Sequence, residues 1–544
     1  MIKRIELVLS PKEAADDKFI EELVRKNLSL KRSDTLYIQK DRSSIDARSR
    51  TPRISLLINA YVNEVPKEIP PVKSSFKKVS NNKKVIIVGA GPAGYFAALE
   101  LIEQGIKPII FDRGKDARER RKDLRAIQQF SIVNPDSNYC FGEGGAGTYS
   151  DGKLYTRSHK RGDIDKAMRI LVEHGANPDI LVESHPHIGS NKLPGIIQNI
   201  RESITEFGGE VHFDSKVTDF IIKNEVMKGV IVNGKDEHIA DAVILATGHS
   251  ARDIFFLLQK KNIYLEAKPF AIGVRAEHPQ ALIDEIQYKQ NPRDEYLPAS
   301  SYKLVTQADG RGVFSFCMCP GGLIVPAATA PEEIVVNGMS LSRRDSPYAN
   351  SGIVVALETD DYKKILSDID KENPNEVKNL KEEFRANNGL NELSDMFNGL
   401  ILQSLIEKRF FNASGKGSQQ APAQKITDFV KGITSLELNE TSYIPGVYSH
   451  DFDLLLPEFF SIKLKSAFVD YGKKMKGYFS NEGMMIGIES RTSSPVKIPR
   501  NKNDYQHIQV KNLYPCGEGA GYAGGIISAA LDGQNVAKAI AAVN

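Results

Sequence analysis

Two arginines and a histidine stand out as residues that could do chemistry on a substrate. Arg275 and His278 lie at the end of a predicted strand, and Arg491 follows Glu489 just before a Thr-Ser-Ser-Pro turn. Each arginine could bind an anionic group through two N–H donors, and His278 could transfer a proton. The alternative is an ion-pair network between regions, in which Glu489 and Arg491 pair on one strand face. We predict catalytic roles for Arg275, His278 and Arg491.

Cys317 and Cys319 lie two residues apart on a predicted strand, so we expect both side chains on one face. They could be a redox pair, two metal ligands, or two small buried apolar residues, and the last interpretation is preferred. A C-x-C disulfide closes a small strained ring and would be readily reduced. A metal would need two more ligands, whereas Cys140 and Cys516 lie in loops far apart in the sequence. We therefore predict no metal site.

The most specific motif is a glycine-rich turn, Gly89-Ala90-Gly91-Pro92-Ala93-Gly94, which follows an apolar strand and opens a helix. In that context the pattern is typical of a loop that cradles a dinucleotide. Gly89 permits the tight turn, Gly91 lets backbone amides approach a pyrophosphate, and Gly94 lets helix and strand pack closely. Asp112 ends the next strand, where a carboxylate accepts hydrogen bonds from ribose hydroxyls and repels a 2′-phosphate. The sequence therefore predicts FAD or NAD.

A second glycine-rich stretch, residues 142–147, repeats the pattern without a clean strand before it or an apolar helix after it. We predict a loop laid against a ligand backbone rather than a second dinucleotide fold. A nicotinamide nucleotide would need its own strand, glycine loop and helix, and the sequence offers none. Any NAD(P)H is therefore expected to bind transiently in a less marked site, or another electron donor is used.

Two further segments favour FAD over NAD. Residues 241–248 form an apolar strand that ends in Ala-Thr-Gly, and residues 513–521 carry a Gly-Glu pair before a long apolar helix. With the first loop, they resemble the three signatures of two-motif FAD proteins of the glutathione-reductase superfamily. By that resemblance Glu518 hydrogen-bonds the ribityl chain, Val217 lies beside the adenine, and the helix after Gly525 points its N-terminus at flavin N1 and O2.

The predicted cofactor-binding residues come from all of these segments. They are Gly89, Gly91, Pro92, Ala93, Gly94, Asp112, Arg113, Gly145, Gly147, Thr148, Ser150, Val217, Thr247, Gly248, Gly517, Glu518, Gly525 and Ile526. Lys153 follows the second glycine-rich stretch, and a lysine near flavin N1, O2 or N5 would raise the flavin potential by stabilising the reduced ring. The alternative is an ordinary solvated turn. We predict a catalytic role for Lys153.

Six stretches carry a closer resemblance to one family. They are residues 44–48, 141–154, 271–279, 317–322, 420–424 and 489–495. They resemble the bacterial FAD-utilizing dehydrogenase family, which is largely uncharacterised. The resemblance covers most of residues 83–544 and implies a fold and a cofactor, but no substrate.

The elements that position these residues fall into an α/β pattern. A Rossmann-type FAD-binding domain, discontinuous in sequence, is predicted together with a mixed α+β substrate domain and a small α+β N-terminal module. The predicted boundaries are residues 1–78 for the basic N-terminal module, 79–255 for the first part of the FAD-binding domain with inserted helices over about 160–207, 256–488 for the substrate or cap domain, and 489–544 for the C-terminal part of the FAD-binding domain.

Individual elements are predicted from hydrophobic periodicity. The module reads as strand, helix, strand and strand, and residues 83–111 read as a strand–helix–strand unit. The predicted ranges are Ile5–Leu9, Pro11–Lys26, Thr35–Lys40, Ile54–Val62, Lys83–Val88, Pro92–Gln104, Lys107–Phe111, a strand pair Gly209–His212 and Lys216–Lys223, Asp241–Ala246, Phe270–Arg275, Val313–Cys319, and a last helix Gly525–Val543.

Composition excludes several classes of protein. The 544 residues are 41% apolar and 26% charged, and the formal net charge is +3. This composition excludes an intrinsically disordered protein and a polycation. Four cysteines exclude a disulfide scaffold and fit a reducing compartment. Residues 85–102 mimic a membrane span, but Gly and Pro interrupt them, and the first residues predict a strand rather than a secretory signal. We therefore predict a soluble cytoplasmic protein with no membrane span.

The sequence predicts a FAD-dependent oxidoreductase, a dehydrogenase or reductase that moves a hydride between flavin N5 and an unidentified small-molecule substrate. One alternative is a flavin-dependent RNA-modifying or RNA-binding protein that docks through the basic stretch 25–53. Nucleic acid is the less favoured partner, because Tyr37 is the one aromatic residue in that stretch and a solvated face is commoner. Another alternative is a thiol redox sensor that uses Cys317 and Cys319. The oligomeric state is left open.

Overall fold

The computed structural model describes residues 1–156 and 161–543. The N-terminal module is an antiparallel sheet in the order β1-β3-β2 with two helices packed on one face. Its elements are β1 (Ile2–Leu9), α1 (Pro11–Ala14), α2 (Asp17–Asn27), β2 (Leu36–Asp46) and β3 (Arg53–Val62). The single helix predicted over Pro11–Lys26 is two helices, because the Asp16 carboxylate accepts hydrogen bonds from the amides of Lys18 and Phe19 and starts a new helix.

The module joins the rest of the chain through backbone hydrogen bonds and apolar packing. The Ser43 amide donates to the Val182 carbonyl at 2.8 Å, and the Ser184 amide donates to the Ser43 carbonyl at 2.9 Å. Tyr288 and Leu297 complete its apolar core. The module is thus held by a short strand-like ladder and a shared core, not by charge alone.

The central part of the chain forms a parallel sheet and the layers around it. Its elements are β4 (Lys84–Val88), α3 (Pro92–Glu103), β5 (Lys107–Phe111), α4 (Ala117–Phe130), α5 (Ile164–Glu173), α6 (Leu193–Glu206), β6 (Glu210–His212), β7 (Val217–Lys223), β8 (Val226–Val232), β9 (Asp236–Ile239), β10 (Ala242–Leu245) and α7 (Arg252–Lys260). The chain returns to the same sheet near its end with β22 (Leu513–Pro515) and α14 (Ile526–Ala542).

The parallel sheet has the strand order β22-β10-β4-β5-β6. Its inner strands are runs of buried Val, Ile and Leu, as expected for a sheet covered on both faces. The predicted pairing of Gly209–His212 with Lys216–Lys223 is wrong, because β6 is an edge strand of this sheet whereas β7 starts a separate antiparallel sheet, β7-β8-β9. The mixed α/β class with a parallel sheet is confirmed.

Helix α14 lies against α3 and closes one face of the sheet. The two helices approach so closely that a Cβ added to Gly533 would lie 2.1 Å from the Ala93 carbonyl oxygen. In the described residues no helix is long and apolar enough to cross a membrane.

Helix α4, which the sequence pattern did not reveal, packs beside the glycine-rich loops.

Residues 266–497 build a mixed sheet with the order β13-β14-β17-β12-β20-β18-β19, together with two two-stranded sheets, β11-β21 and β15-β16. Its strands pair antiparallel except for β18 with β19. The elements are β11 (Glu266–Ala267), β12 (Phe270–Pro279), α8 (Gln280–Tyr288), β13 (Val305–Ala308), β14 (Arg311–Cys319), β15 (Gly322–Pro326), β16 (Val336–Ser340), β17 (Tyr348–Leu357), α9 (Thr359–Glu372), α10 (Glu376–Asn387), α11 (Asn398–Asn412), β18 (Ala421–Lys425), α12 (Ile426–Lys431), β19 (Val447–Ser449), α13 (Glu458–Lys474), β20 (Met484–Glu489) and β21 (Val496–Lys497).

Candidate functional site

A deep cavity lies between the parallel sheet and the mixed sheet. One wall is the turn between β4 and α3, where Gly91 is the N-cap residue of α3 and no side chain caps the helix. Gly89 has φ +108°, and a Cβ there would lie 2.4 Å from the Ala246 carbonyl oxygen. Because free backbone amides and the helix dipole meet at this N-terminus, the wall suits an anionic group.

The second glycine-rich stretch lies directly against the first. A Cβ added to Gly145 would lie 3.3 Å from the Gly91 Cα, and Gly147 faces Ile526 at the start of α14. Arg120 on α4 fixes this stretch, because its buried guanidinium donates to the carbonyl oxygens of Glu143 and Gly145 at 2.8 and 2.9 Å. Burial of the guanidinium lowers the pKa of Arg120.

The Asp112 carboxylate connects the strand end to both loops. One oxygen accepts from the Ala90 amide and the other from the Gly114 amide, each at 2.8 Å. It lines the cavity together with Arg113, whose guanidinium pairs with Asp253. Asp112 thus shapes the turn itself, and each of its carboxylate oxygens keeps a lone pair that could accept a further hydrogen bond.

The C-terminal segment also lines the cavity, next to the start of α3, where a Cβ added to Gly517 would lie 3.0 Å from the Ala93 Cβ. Asp532 on α14 accepts the Gly517 amide at 2.7 Å and pairs with Arg500, which fixes the turn before Glu518. Gly525, with φ +82°, is the N-cap residue of α14, and no side chain caps that helix. Two helix N-termini therefore open onto one cavity.

Most of the predicted cofactor residues line this cavity. They are Gly89, Gly91, Pro92, Ala93, Asp112, Arg113, Gly145, Gly147, Ser150, Val217, Thr247, Gly248, Gly517, Glu518, Gly525 and Ile526. Gly94 does not line it, because it packs under the turn, where a Cβ would lie 2.0 Å from the Gly89 carbonyl oxygen. Thr148 does not line it either: its buried hydroxyl donates to the Glu143 carbonyl oxygen at 3.0 Å.

The positions of Arg275 and His278 do not support catalytic roles. Arg275 is fully buried in the mixed sheet, where it pairs with Glu489 at 2.6 Å and donates to Asn350. Nε2 of His278 bonds the Tyr478 carbonyl oxygen at 2.8 Å, and burial lowers the pKa of this histidine to about 4. Neither side chain lines the cavity, because the sheet buries both in its own packing.

Arg491 lines the cavity, but four of the five N–H donors of its guanidinium make hydrogen bonds within the protein. Its guanidinium pairs with Glu333 at 2.5 Å and with Glu407 at 2.9 Å, and it also donates to Thr329. Arg252 pairs with the same two carboxylates from the other side. The ion-pair alternative is therefore the better account of Arg491, although its partners are Glu333 and Glu407 rather than Glu489.

Lys153 and Cys317 meet at the cavity wall formed by the mixed sheet. The Lys153 ammonium donates to the Met318 carbonyl oxygen and lies 3.6 Å from the Asp151 carboxylate. The bulge in β14 gives Cys317 a φ of +46°, so the simple strand alternation expected for Cys317 and Cys319 does not hold. Lys153 thus lies beside the cavity, as a cofactor-facing lysine requires.

Sequence reasoning missed three residues that build the site. Nδ1 of His249, which follows the Ala-Thr-Gly strand end, lies 3.3 Å from the Glu518 carboxylate. Arg120 was missed because an arginine in a highly charged helix suggests a solvated side chain, whereas Arg120 lies on the buried face of α4 with Ala117, Leu124 and Ile127. Phe316 adds apolar surface to the lining of the cavity. Of these three residues, only His249 could have been predicted from the sequence, because it directly follows the Ala-Thr-Gly motif at the end of β10.

The residues present fit a dinucleotide of the FAD type. Glycines at 89, 91, 145, 147, 517 and 525 form a continuous cradle that Cβ atoms would fill or strain. Carboxylates at Asp112 and Glu518 are available for hydroxyl groups at separate points along the cavity. Anion-binding amides, hydroxyl acceptors and apolar walls are the set of groups that such a cofactor needs.

Solved structures resemble this fold only loosely. The protein CtdE in complex with FAD is 10% identical, covers 84% of this chain and 83% of its own, and gives a TM-score of 0.30. An oxidoreductase from Methanosarcina mazei is 12% identical, covers 84% of this chain and 100% of its own, and gives 0.32. Similarity this low carries no functional conclusion.

Two curated flavoenzymes match part of the chain. The probable fumarate reductase Ifc3 of Shewanella frigidimarina is 28% identical over 31% of this chain and 32% of its own length. A flavin-containing monooxygenase of Arabidopsis thaliana, FMO GS-OX-like 9, is 27% identical over 31% of this chain and 37% of its own. With the family models below, these matches support a flavin-dependent enzyme of the oxidoreductase type.

Three family models and one full-length relative match this chain. Residues 82–127 match an FAD binding domain, residues 269–492 match the C-terminal domain-like part of FAD-dependent proteins, and residues 1–61 match a domain of unknown function, DUF8436. An uncharacterized protein of Clostridium beijerinckii is 37% identical over 96% of this chain and 95% of its own length. The chain therefore belongs to the family of this Clostridium protein, a family of flavoproteins whose cofactor is FAD.

Proposed function

We propose that this protein is a FAD-dependent dehydrogenase or reductase that exchanges a hydride with a small organic substrate. One observation carries the proposal: the cavity with the glycine cradle continues to Phe316 and Cys317 of the mixed sheet, and to Asn337 on β16 and Arg491 just after β20. A cofactor in the cradle and a substrate against the mixed sheet would then share one enclosed space. Bound FAD supplies a ring that accepts or donates two electrons as a hydride.

The chain's own groups bind and orient the cofactor in this proposal. The amides at the N-terminus of α3 hold the pyrophosphate, and the Asp112 carboxylate accepts a ribose hydroxyl. Glu518 accepts from the ribityl chain, and the N-terminus of α14 stabilises negative charge on the ring. This assignment follows the two-motif arrangement of the glutathione-reductase superfamily, with a Rossmann-type domain assembled from residues 79–255 and 489–544.

The substrate contacts differ from those that the sequence predicted. Because Arg275 and Arg491 are already paired within the fold, we propose that Lys153 and His249 face the substrate and the reacting ring. Lys153 holds a positive charge beside the cavity, and His249 pairs with Glu518 at its edge. Phe141 and Phe316 exclude water from the space between them.

Anaerobic titration of the purified flavoprotein tests the proposal. Bleaching of the flavin absorption band by NADH, NADPH or one member of a metabolite panel would identify the electron donor. A Lys153→Met variant with full FAD content should be reduced at least tenfold more slowly by that donor, since about 1.4 kcal/mol of electrostatic stabilisation is worth a factor of ten. If the folded protein refuses FAD, or if no donor bleaches it, the proposal is wrong.

A basic groove favours a second candidate function, binding of RNA. The groove runs between the N-terminal module and the mixed sheet and is lined by seven basic and two acidic side chains. The basic residues are Arg48, Arg53, Lys289, Lys303, Lys473, Lys474 and Lys476. The predicted stretch 25–53 contributes two of these seven, Arg48 and Arg53, whereas Lys40 of that stretch pairs with Asp17.

Fluorescence anisotropy with labelled single-stranded RNA tests this second candidate. Affinity should fall steeply as salt rises, because phosphate contacts release counterions. Lys473→Glu with Lys476→Glu should abolish binding, whereas Lys223→Glu with Lys378→Glu, which make the same charge change on other exposed faces, should leave it intact. Equal effects of the two pairs, or no binding at low salt, would exclude the groove as an RNA site.

A further inference from the structure

A bulge at the end of β14 turns one cysteine toward the FAD cavity. Phe316 pairs with Gly352 and Cys319 pairs with Asn350, so the strand carries one extra residue between these pairs. Cys317 lies in this bulge with φ +46°, a conformation that costs free energy for any residue other than glycine. The bulge therefore holds the Cys317 side chain at the cavity wall.

The bulge also brings a second thiol against the first. The Cys319 thiol donates to the Cys317 carbonyl oxygen at 3.3 Å, which keeps the Cys319 sulfur beside Cys317. Cys319 is fully buried, whereas Cys317 is half-buried. One sulfur can thus be reached from the cavity, and its neighbour is protected from it.

Two cations lie beside this thiol pair. The Lys153 ammonium donates to the carbonyl oxygen of Met318, the residue between the cysteines, and Arg275 donates to the Cys317 carbonyl oxygen at 2.7 Å. The same Arg275 nitrogen lies 3.5 Å from the Cys319 sulfur. Both cations stabilise negative charge on sulfur.

The charge distribution favours one thiolate and one thiol at neutral pH. The hydrogen bond from Cys319, aided by Lys153 and Arg275, lowers the pKa of Cys317 to about 5 although burial opposes it. The same hydrogen bond, together with burial, raises the pKa of Cys319 well above its usual range. A thiolate with a protonated neighbour is the form from which a disulfide is made.

We propose that Cys317 and Cys319 are a redox-active dithiol that exchanges two electrons with bound FAD. In the oxidising direction the Cys317 thiolate and the Cys319 thiol form one S–S bond, and the S–H bond of Cys319 breaks. The electron pair and that proton pass to FAD, which becomes reduced. A disulfide between residues so close in sequence is strained, so it is readily reduced again.

This centre adds to the proposed hydride exchange and does not depend on the identity of the organic substrate. In the described ranges, no group of three or more His, Cys, Asp or Glu side chains is placed so that it could hold a metal ion. Different experiments test the hydride exchange and the dithiol. Bleaching of FAD by a substrate or a nicotinamide nucleotide tests the proposed function, whereas the number of electrons that the protein takes up per FAD tests the dithiol.

Anaerobic reductive titration of the oxidised holoprotein tests the dithiol. The wild type should take up about four electrons per FAD, two for the cofactor and two for the disulfide. Cys317→Ser and Cys319→Ser should each take up about two. Cys140→Ser removes another cysteine of the same cavity wall and should keep the uptake of about four.

Differential alkylation of the wild type provides a second readout that needs no variant. In the oxidised protein the peptide that carries Cys317 and Cys319 should resist iodoacetamide and be two hydrogen masses lighter; after reduction Cys317 should be alkylated. Uptake of only two electrons by the wild type, or alkylation of Cys317 in the fully oxidised protein, would overturn the proposal. Because both results come from the native chain, poor folding of a serine variant does not obscure the outcome.

Discussion

The guanidinium of Arg275 donates a 2.7 Å hydrogen bond to the carbonyl oxygen of Cys317. The same guanidinium pairs with Glu489 on the neighbouring strand, so a buried cation fixes the bulge at the cavity wall. Glu489 in turn strongly raises the pKa of Arg275 and keeps it charged. An arginine that looks available for a substrate in the sequence is thus part of the support for a reactive thiol.

Removal of Arg275 should destabilise the protein strongly. Arg275→Met leaves Glu489 buried without its partner, and breaking a buried pair in this way costs about 3–5 kcal/mol of unfolding free energy. Urea unfolding measures this, and Arg275→Met combined with Glu489→Gln should recover part of the loss. A loss below about 1 kcal/mol for the single variant would mean that the pair contributes little.

Lys153 should control the reactivity of Cys317. Its positive charge is among the causes that lower the pKa of the Cys317 thiol, so Lys153→Met should move the pH profile of iodoacetamide alkylation to higher pH. Lys153→Arg keeps the charge and should keep the profile near that of the wild type. Mass spectrometry of the reduced protein reports the alkylated fraction at each pH, and identical profiles for both variants would contradict this role.

Gly89 should be required for cofactor binding. Gly89→Ala places a Cβ 2.4 Å from the Ala246 carbonyl oxygen at φ +108°, so the turn between β4 and α3 must shift. We expect FAD affinity to fall roughly tenfold or more, on the basis of about 1–3 kcal/mol of strain. Gly234 also has positive φ but no neighbour within 4 Å, so Gly234→Ala is the matched control. Fluorescence of released FAD measures occupancy, and equal occupancy in both variants would count against the cradle.

Glu277 should make stability depend on pH. Burial raises the pKa of its carboxyl to about 7, and the amide and hydroxyl of Ser442 hydrogen-bond it. Between about pH 4.5 and 7 the unfolded chain loses this proton and the folded chain keeps it, so unfolding becomes easier as pH rises. The raised pKa of Glu277 contributes at most about 3 kcal/mol to the free energy of unfolding at low pH. This contribution is fully lost once the pH exceeds the pKa of Glu277 in the folded protein.

Glu277→Gln removes this titration while keeping the shape of the side chain. The difference in unfolding free energy between pH 5 and pH 8 should therefore be smaller in Glu277→Gln than in the wild type. Other groups, such as Glu489, titrate in both proteins, so their effects on the unfolding free energy cancel when the two proteins are compared. The same pH dependence in both proteins would show that Glu277 ionises normally in the fold.

The local sequence predicts the FAD-binding turn well. The predicted strand Lys107–Phe111 matches β5, and the strand and helix around the glycine loop match β4 and α3 to within one residue. Apolar runs and glycines encode these elements directly. The placement of Asp112 and Glu518 along one cavity follows from the same local signals, although their contacts with FAD stay predictions.

Long-range pairing could not be predicted from the sequence. Glu489 pairs with Arg275 across two strands far apart in sequence, whereas spacing alone suggested Arg491. The bulge at Cys317 is set by the register of β14 against β17, and no local residue pattern marks it. Both features depend on strand register, which only the assembled sheet determines.

The edge strand β22 has a consequence for biosynthesis. It pairs with β10, yet it is synthesised after the other four strands of the parallel sheet. Until then the backbone of β10 lacks a neighbour on that side, and α3 lacks the cover of α14. A nascent chain in this state exposes an unpaired edge of the kind that recruits chaperones or invites aggregation. We therefore expect stable capture of the flavin only after β22 and α14 have packed against β10 and α3.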